Sequence, residues 1–213
     1  MIDYTIQLNN SEFTETINRI IQSNKIDEII ETGTFHGNGS TKVFAETKKP
    51  VFTIECNFNN WQISTNNLQN YKNVSCIHGL SLKRSELIKN LMTEKFDLET
   101  TYDSESPKTF YMNEICQPVV VEGALELLAN NSQHQLVFLD SAGGVGYHEF
   151  LHFMQFESIF ITRKVLLLDD ISHIKHKRSV EYLQLRGFEV TISKEKRFAV
   201  CDFQNPNNSK LLI

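Results

Sequence analysis

The chain has 213 residues, 40% hydrophobic and 22% charged, with a formal net charge of −5. That length fits one domain spanning residues 1–213 with a sizeable core. The acidic balance offers no basic stripe to neutralise phosphates, which argues against a nucleic-acid partner. The one basic cluster, Lys175, His176, Lys177 and Arg178, reads as a solvated helix face. Cys56, Cys76, Cys116 and Cys201 are far apart and form no CxxC pair, so neither zinc nor a disulfide framework is expected and a reducing cytoplasm fits. The opening MIDYTIQLNN is too polar for a signal peptide, and no apolar run approaches the ~18 residues of a membrane span.

Short β-branched runs alternate with longer helical patterns along the chain, the signature of a parallel sheet with helices on its faces. Ser11 is a plausible N-cap for a first helix whose apolar stripe is Phe13, Ile17, Ile20 and Ile21. A strand from Ile26 to Glu31 runs into the loop TGTFHGNGST, and a helix through Lys42 to Glu46 follows. Next come a strand from Val51 to Glu55, a helix around Trp61, Ile63 and Leu68, a strand from Val74 to Ile77, and a helix from about Ser81 to Met92. Residues 93–118 are polar, hold two prolines and show no clean period, which reads as a substrate-side insertion. Order returns with a helix from Val119 to Ala129 and a strand from Gln135 to Asp140. A helix around His148 to Ile159 precedes the strand Lys164 to Asp169, and another from about His173 to Arg186 ends at Gly187. The last two strands, Phe188 to Ser193 and Arg197 to Phe203, are joined by too few residues for a helical crossover, so the final strand is expected to run antiparallel. The predicted fold is α/β, a doubly wound Rossmann-like sheet of seven strands, and the tail NPNNSK reads as frayed.

The loop after the first strand carries the chemistry. Its glycines let the backbone turn tightly and approach a ligand, and Glu31 at its entrance would repel a pyrophosphate but suits an ammonium or sulfonium. Glu55 ends the second strand about 20 positions past the first glycine, where nucleotide-binding α/β domains place an acceptor for ribose hydroxyls. Asp140 ends one strand and the pair Asp169–Asp170 ends the next. Ligands in parallel sheets gather outside the carboxyl ends of strands, so these carboxylates are expected in one crevice. Being hard oxygen donors, they suit a cation such as Mg2+. His173 is placed to act as a general base. His36 sits in the glycine loop, while His148 and His152 read as a polar helix face.

The sequence E-x-G-x-x-x-G-x-G-S, the acidic strand end, HGLSLK, FLDS and LLLDDI together resemble class I S-adenosylmethionine (SAM)-dependent methyltransferases over Ile26 to Phe203. The resemblance implies that Glu31, Gly33, Thr34, Gly37 and Ser40 surround the methionine part of SAM, Glu55 the ribose, and Gly79 and Ser81 the adenine, with Asp140 also beside the cofactor. The acceptor is read as a hydroxyl of a small molecule, with Asp140, Asp169 and His173 as the candidate catalytic residues. The Asp140, Asp169, Asp170 set is similar to the metal site of catechol-type O-methyltransferases, although SAGGVGY follows Asp140 where that family has an Asp-Lys or His-containing stretch. Two alternatives stay open: an NAD-dependent oxidoreductase, against which Glu31 and the terminal hairpin both count, and a non-catalytic SAM-binding module. A homodimer is also left open, and no membrane partner is expected.

Overall fold

The computed structural model describes residues 8–93, 107–141 and 145–212. In chain order the elements are α1 (Ser11–Ser23), β1 (Glu28–Thr32), α2 (Ser40–Glu46), β2 (Val51–Glu55), α3 (Phe58–Leu68), β3 (Val74–His78), α4 (Arg84–Thr93), α5 (Pro107–Ile115), α6 (Ala124–Ala129), β4 (Gln135–Leu139), α7 (Val145–Phe153), α8 (Ser158–Ile161), β5 (Lys164–Asp169), α9 (Lys177–Leu185), β6 (Val190–Ile192), β7 (Phe198–Asp202) and α10 (Pro206–Ser209). A seven-stranded sheet runs in the order β3-β2-β1-β4-β5-β7-β6. Every pairing from β3 through β5 is parallel, and β7 lies antiparallel to both β5 and β6, as the short final link requires.

The central strands are apolar on both faces because helices cover both. Ile29, Leu136, Phe138, Val165 and Leu167 point to the layer holding Phe13, Ile17 and Phe44. Their neighbours Ile30, Val137, Leu139, Leu166 and Leu168 point to the layer holding Phe150, Phe153 and Leu183. The period of two along each strand thus divides one continuous apolar run between two cores. Phe13 anchors the first, with ring centroids 5.8 Å from Phe44 and 5.4 Å from Phe198. No described helix is long and apolar enough to cross a membrane.

Several boundaries differ from expectation for local reasons. Asn10, rather than Ser11, caps α1, its side chain accepting from Phe13 N. The helix expected from Val119 starts only at Ala124, because Val121 bridges to Gly79 and Gly123 turns the chain with φ 72. The helix expected around His148 to Ile159 is split into α7 and α8. Part of the segment 93–118 is helical, as α5, while residues 94–106 lie outside the described residues. The tail is ordered: Asn205 accepts from Asn207 N, and buried Asn208 accepts from Glu189 N at 2.7 Å and donates to Asp202 O at 2.9 Å. Asn208→Ala is therefore expected to cost ~1–3 kcal/mol, since it strands buried partners on the β6–β7 side. A urea midpoint unchanged from the parent would show that this tail contributes nothing to the fold.

Candidate active site

Sheet order reverses between β1 and β4, and their carboxyl ends form the switch point where open α/β sheets gather ligands. The glycine loop closes over it. Gly33 has φ 79, and a Cβ there would stand 2.6 Å from the Asp140 carbonyl oxygen, so only glycine lets the loop lie against the end of β4. Gly33 N and Thr34 N donate to Ile54 O at 2.9 and 3.2 Å, tying the loop to β2. Gly37, with φ 73, packs on Leu68. His36 stacks on Phe35.

Glu31 lies beneath this loop, fully buried. It accepts from Ser40 Oγ at 2.5 Å, Thr41 Oγ1 at 2.6 Å and Thr53 Oγ1 at 2.7 Å, and Thr34 Oγ1 meets Thr53 Oγ1 at 2.5 Å. Burial raises the Glu31 pKa against the pull of those hydroxyls. Glu31, Thr34 and Ser40 are thus brought together as a network that fixes the loop from below. Glu55 lies at the mouth. Its two oxygens accept from Phe35 N at 2.7 Å and Asn57 N at 2.8 Å, yet burial pushes its carboxyl up to about 7. Gly79 N donates to Glu55 O at 3.0 Å, which brings the third strand's loop to the same mouth.

Two further carboxylates, absent from the sequence reading, converge there. Glu149 on α7 accepts from Thr32 Oγ1 at 2.8 Å and Ser141 Oγ at 2.5 Å, and burial pushes it up to about 7. Ser81 contributes a buried hydroxyl that is drawn to Glu149 without an aligned hydrogen bond. Glu114 on α5 is 9% exposed. Burial, then repulsion from Glu149 and Glu55, raises its carboxyl well above the ordinary range, and no described side chain donates to it. A helical-spacing signal existed for Glu149, which follows Val145 by one turn and shares the inward side of α7 with Phe150 and Phe153. Glu114 lay in a stretch with no period to read.

On the other side of the crevice, carboxylate oxygens of Asp140, Asp169 and Asp170 lie within 4.8 Å of one another, as their strand-end positions implied. The cluster is already filled by cations. Lys175 Nζ pairs with Asp140 Oδ1 and stands 3.1 Å from Asp170 Oδ2 and 3.5 Å from Asp169 Oδ2. Arg197 grips Asp169 with two parallel hydrogen bonds of 2.8 and 2.9 Å, and its Nη1 is 3.1 Å from Asp170 Oδ1 without hydrogen-bond alignment. Burial lifts Asp140 well above the usual carboxylate range, only partly offset by Lys175. Burial also acts on Asp169, but Lys175 and Arg197 together outweigh it and hold that carboxyl below its ordinary value. Asp140 is therefore the harder of the two to ionise, and Asp169 the easier. A divalent ion does not fit this arrangement, because the ammonium stands where the ion would and Arg197 adds a second positive charge.

Lys177 of the basic cluster is exposed and Arg178 half-buried, but Lys175 is 5% and His176 0% exposed. They turn inward because residues 171–176 are a compact turn that precedes α9, started by Asp170 at φ 51. Burial and Lys175 push His176 down to about 3, so it stays neutral. His173 is half-buried on this turn, its backbone N–H donating to Asp170 O at 3.0 Å, and it is Lys175 that reaches all three carboxylates. His148 is buried rather than on a polar face, and His152 Nδ1 lies 3.1 Å from Glu86.

Neither a protein-family model nor a curated protein matches the sequence. Solved structures do match. One is a Staphylococcus aureus protein assigned as a caffeoyl-CoA O-methyltransferase, 14% identical, with a TM-score of 0.55 over 92% of this chain and 84% of that one. Another is the O-methyltransferase from Bacillus cereus in complex with SAH, 13% identical, with a TM-score of 0.50 over 90% of this chain and 80% of that one. At such identities the likeness establishes the architecture: the chain shares the seven-stranded Rossmann-like fold of these O-methyltransferase structures.

Proposed function

We propose that the protein is a SAM-dependent methyltransferase that acts on a small molecule at a hydroxyl oxygen. The observation that carries this reading is the charge of the crevice. Glu55, Glu114 and Glu149 are buried at the same mouth, and repulsion from Glu149 and Glu55 adds to burial in raising Glu114, while Glu149 has three hydroxyls and, less strongly, Lys175 to ease its charge. A dinucleotide's pyrophosphate would worsen that repulsion, whereas an ammonium or sulfonium would relieve it. The fold, shared with an O-methyltransferase in complex with SAH, supports the same choice.

In this reading SAM supplies an activated methyl group on a cationic sulfur. The backbone of Gly33, Thr34 and Gly37 forms the near wall of its site, held by Glu31 and Ser40 from beneath. Glu55 accepts from the ribose, Gly79 and Ser81 border the base, and α5 brings Glu114 to the same mouth as Glu55 and Glu149. Asp140, whose burial strengthens its hold on a proton, is placed to hydrogen-bond the acceptor's hydroxyl, and His173 on the following turn is the group placed to take that hydroxyl's proton. Asp169, kept ionised by Arg197 and Lys175, orients Asp140. No step is assigned to Mg2+, because Lys175 holds its place.

At pH 8, where Glu55 is ionised, Glu55→Ala removes a charged acceptor worth ~1.5–3 kcal/mol, so SAM affinity is expected to fall at least about tenfold. Calorimetry on the parent and variant, with circular dichroism to confirm folding, checks this. Equal affinities would put the ribose elsewhere. Production of S-adenosylhomocysteine with a panel of hydroxylated acceptors tests the transfer itself, and tight SAM binding without turnover on any acceptor would favour a non-catalytic binding module.

A further inference from the structure

Carboxylates that converge at adjacent strand ends repel one another unless positive charge lies between them. In this protein that charge is covalently attached. Lys175 Nζ bridges Asp140 and Asp170, with Asp169 at 3.5 Å, and its side chain is 6% exposed. The path of its stem is built into the fold: a Cβ on Gly146 would stand 2.9 Å from Lys175 Cγ and 2.9 Å from His176 Nε2, so a glycine at the start of α7 makes room for the inward turn. Arg197, reaching across from β7, neutralises the far side of Asp169. Three carboxylates therefore face two fixed cations, Lys175 and Arg197, both built into the chain.

We infer that Lys175 is a resident counter-ion occupying the position of a divalent cation in the Asp140–Asp169–Asp170 cluster of the proposed acceptor site. This rests on the reading of that crevice as the acceptor side, but its test needs neither SAM nor an acceptor. An ammonium and a divalent ion compete for the same oxygens, since Mg2+ and Mn2+ prefer hard carboxylate ligands in near-octahedral sets. The chain has thus exchanged a dissociable cation for a tethered one, and EDTA should leave it unaffected.

The test is Mn2+ binding followed by the loss of the free-ion electron paramagnetic resonance signal, on the parent and on Lys175→Met, which keeps the apolar stem and removes the charge. The parent is expected to leave the Mn2+ signal unchanged into the millimolar range. The folded variant should bind Mn2+ at least about tenfold more tightly, because the oxygens and their negative charge are released. Should Lys175→Met fail to fold, the parent alone decides: its melting temperature must be the same in EDTA and in millimolar Mg2+. Micromolar Mn2+ binding by the parent that disappears in Asp140→Asn would overturn the inference. So would a folded Lys175→Met protein that gains no affinity for Mn2+.

Discussion

Gly33→Ala is expected to cost ~2–5 kcal/mol of stability and to abolish measurable SAM binding. Two effects add. A non-glycine residue at φ 79 carries a left-handed penalty of ~1–2 kcal/mol. The new Cβ would also stand 2.6 Å from Asp140 O, 2.9 Å from Asp140 C and 3.2 Å from Ser141 N. These are backbone atoms at the end of β4, so the clash is relieved only by moving the loop or the strand, an overpacking cost of ~1–3 kcal/mol. Gly37→Ala is the internal comparison. Its φ of 73 carries a similar penalty, but its nearest neighbour is the Leu68 side chain at 2.7 Å, which can rotate away. Urea midpoints should therefore rank Gly33→Ala well below Gly37→Ala. The reverse order would mean that the approach of the loop to β4 is not what limits position 33.

Arg197→Met should also be severe, at ~3 kcal/mol near neutral pH. Removing one partner of a buried pair strands the other charge at ~3–5 kcal/mol, and the lower end applies because the Arg197 side chain is 34% exposed. Asp169 is left with Lys175 alone, 3.5 Å away. The pH dependence follows from the direction of the Asp169 shift, which is down in the folded protein. A depressed carboxyl pKa adds stability above the unfolded value and loses it as pH falls through the folded one. The gap between parent and Arg197→Met should thus be widest at pH 7 and narrow toward pH 4, as Asp169 in the variant protonates. Chemical denaturation across that range measures it. Adding Asp169→Asn to the variant should recover much of the loss, and no recovery would show that Arg197 acts through packing alone.

The sheet was legible because its central strands are buried on both faces, which leaves uninterrupted apolar runs such as QLVFL and KVLLL between turn signals. The glycine loop was legible because left-handed turns and close backbone approach select glycine at Gly33 and Gly37. Less accessible were features decided by tertiary contact. Lys175 looks like a surface residue in the run KHKR, and nothing local says that the turn after Asp170 aims it inward at Asp140. Arg197 lies 28 residues from Asp169 and meets it only because β7 inserts beside β5. Strand-end logic brings the Asp cluster together, but the cations against it are Lys175 and Arg197 rather than the Mg2+ that its oxygens suit. The tail NPNNSK read as frayed because its anchoring bonds, from Asn208 to Glu189 and Asp202, are invisible in a polar hexapeptide.

The charge of the crevice is the central claim, and the ratio of SAM to S-adenosylhomocysteine affinity as a function of pH tests it most directly. The two ligands carry the same amino and carboxyl groups, so their ratio isolates the sulfonium. Burial holds Glu55 and Glu149 protonated up to about pH 7. Their ionisation above that value places negative charge in the crevice, which a fixed positive sulfur rewards and a neutral one does not. Calorimetric titrations at pH 6 and pH 8 should show the preference for SAM rising by roughly tenfold. A preference that is flat or falls with pH, or a protein that binds NAD and ignores SAM, would contradict it.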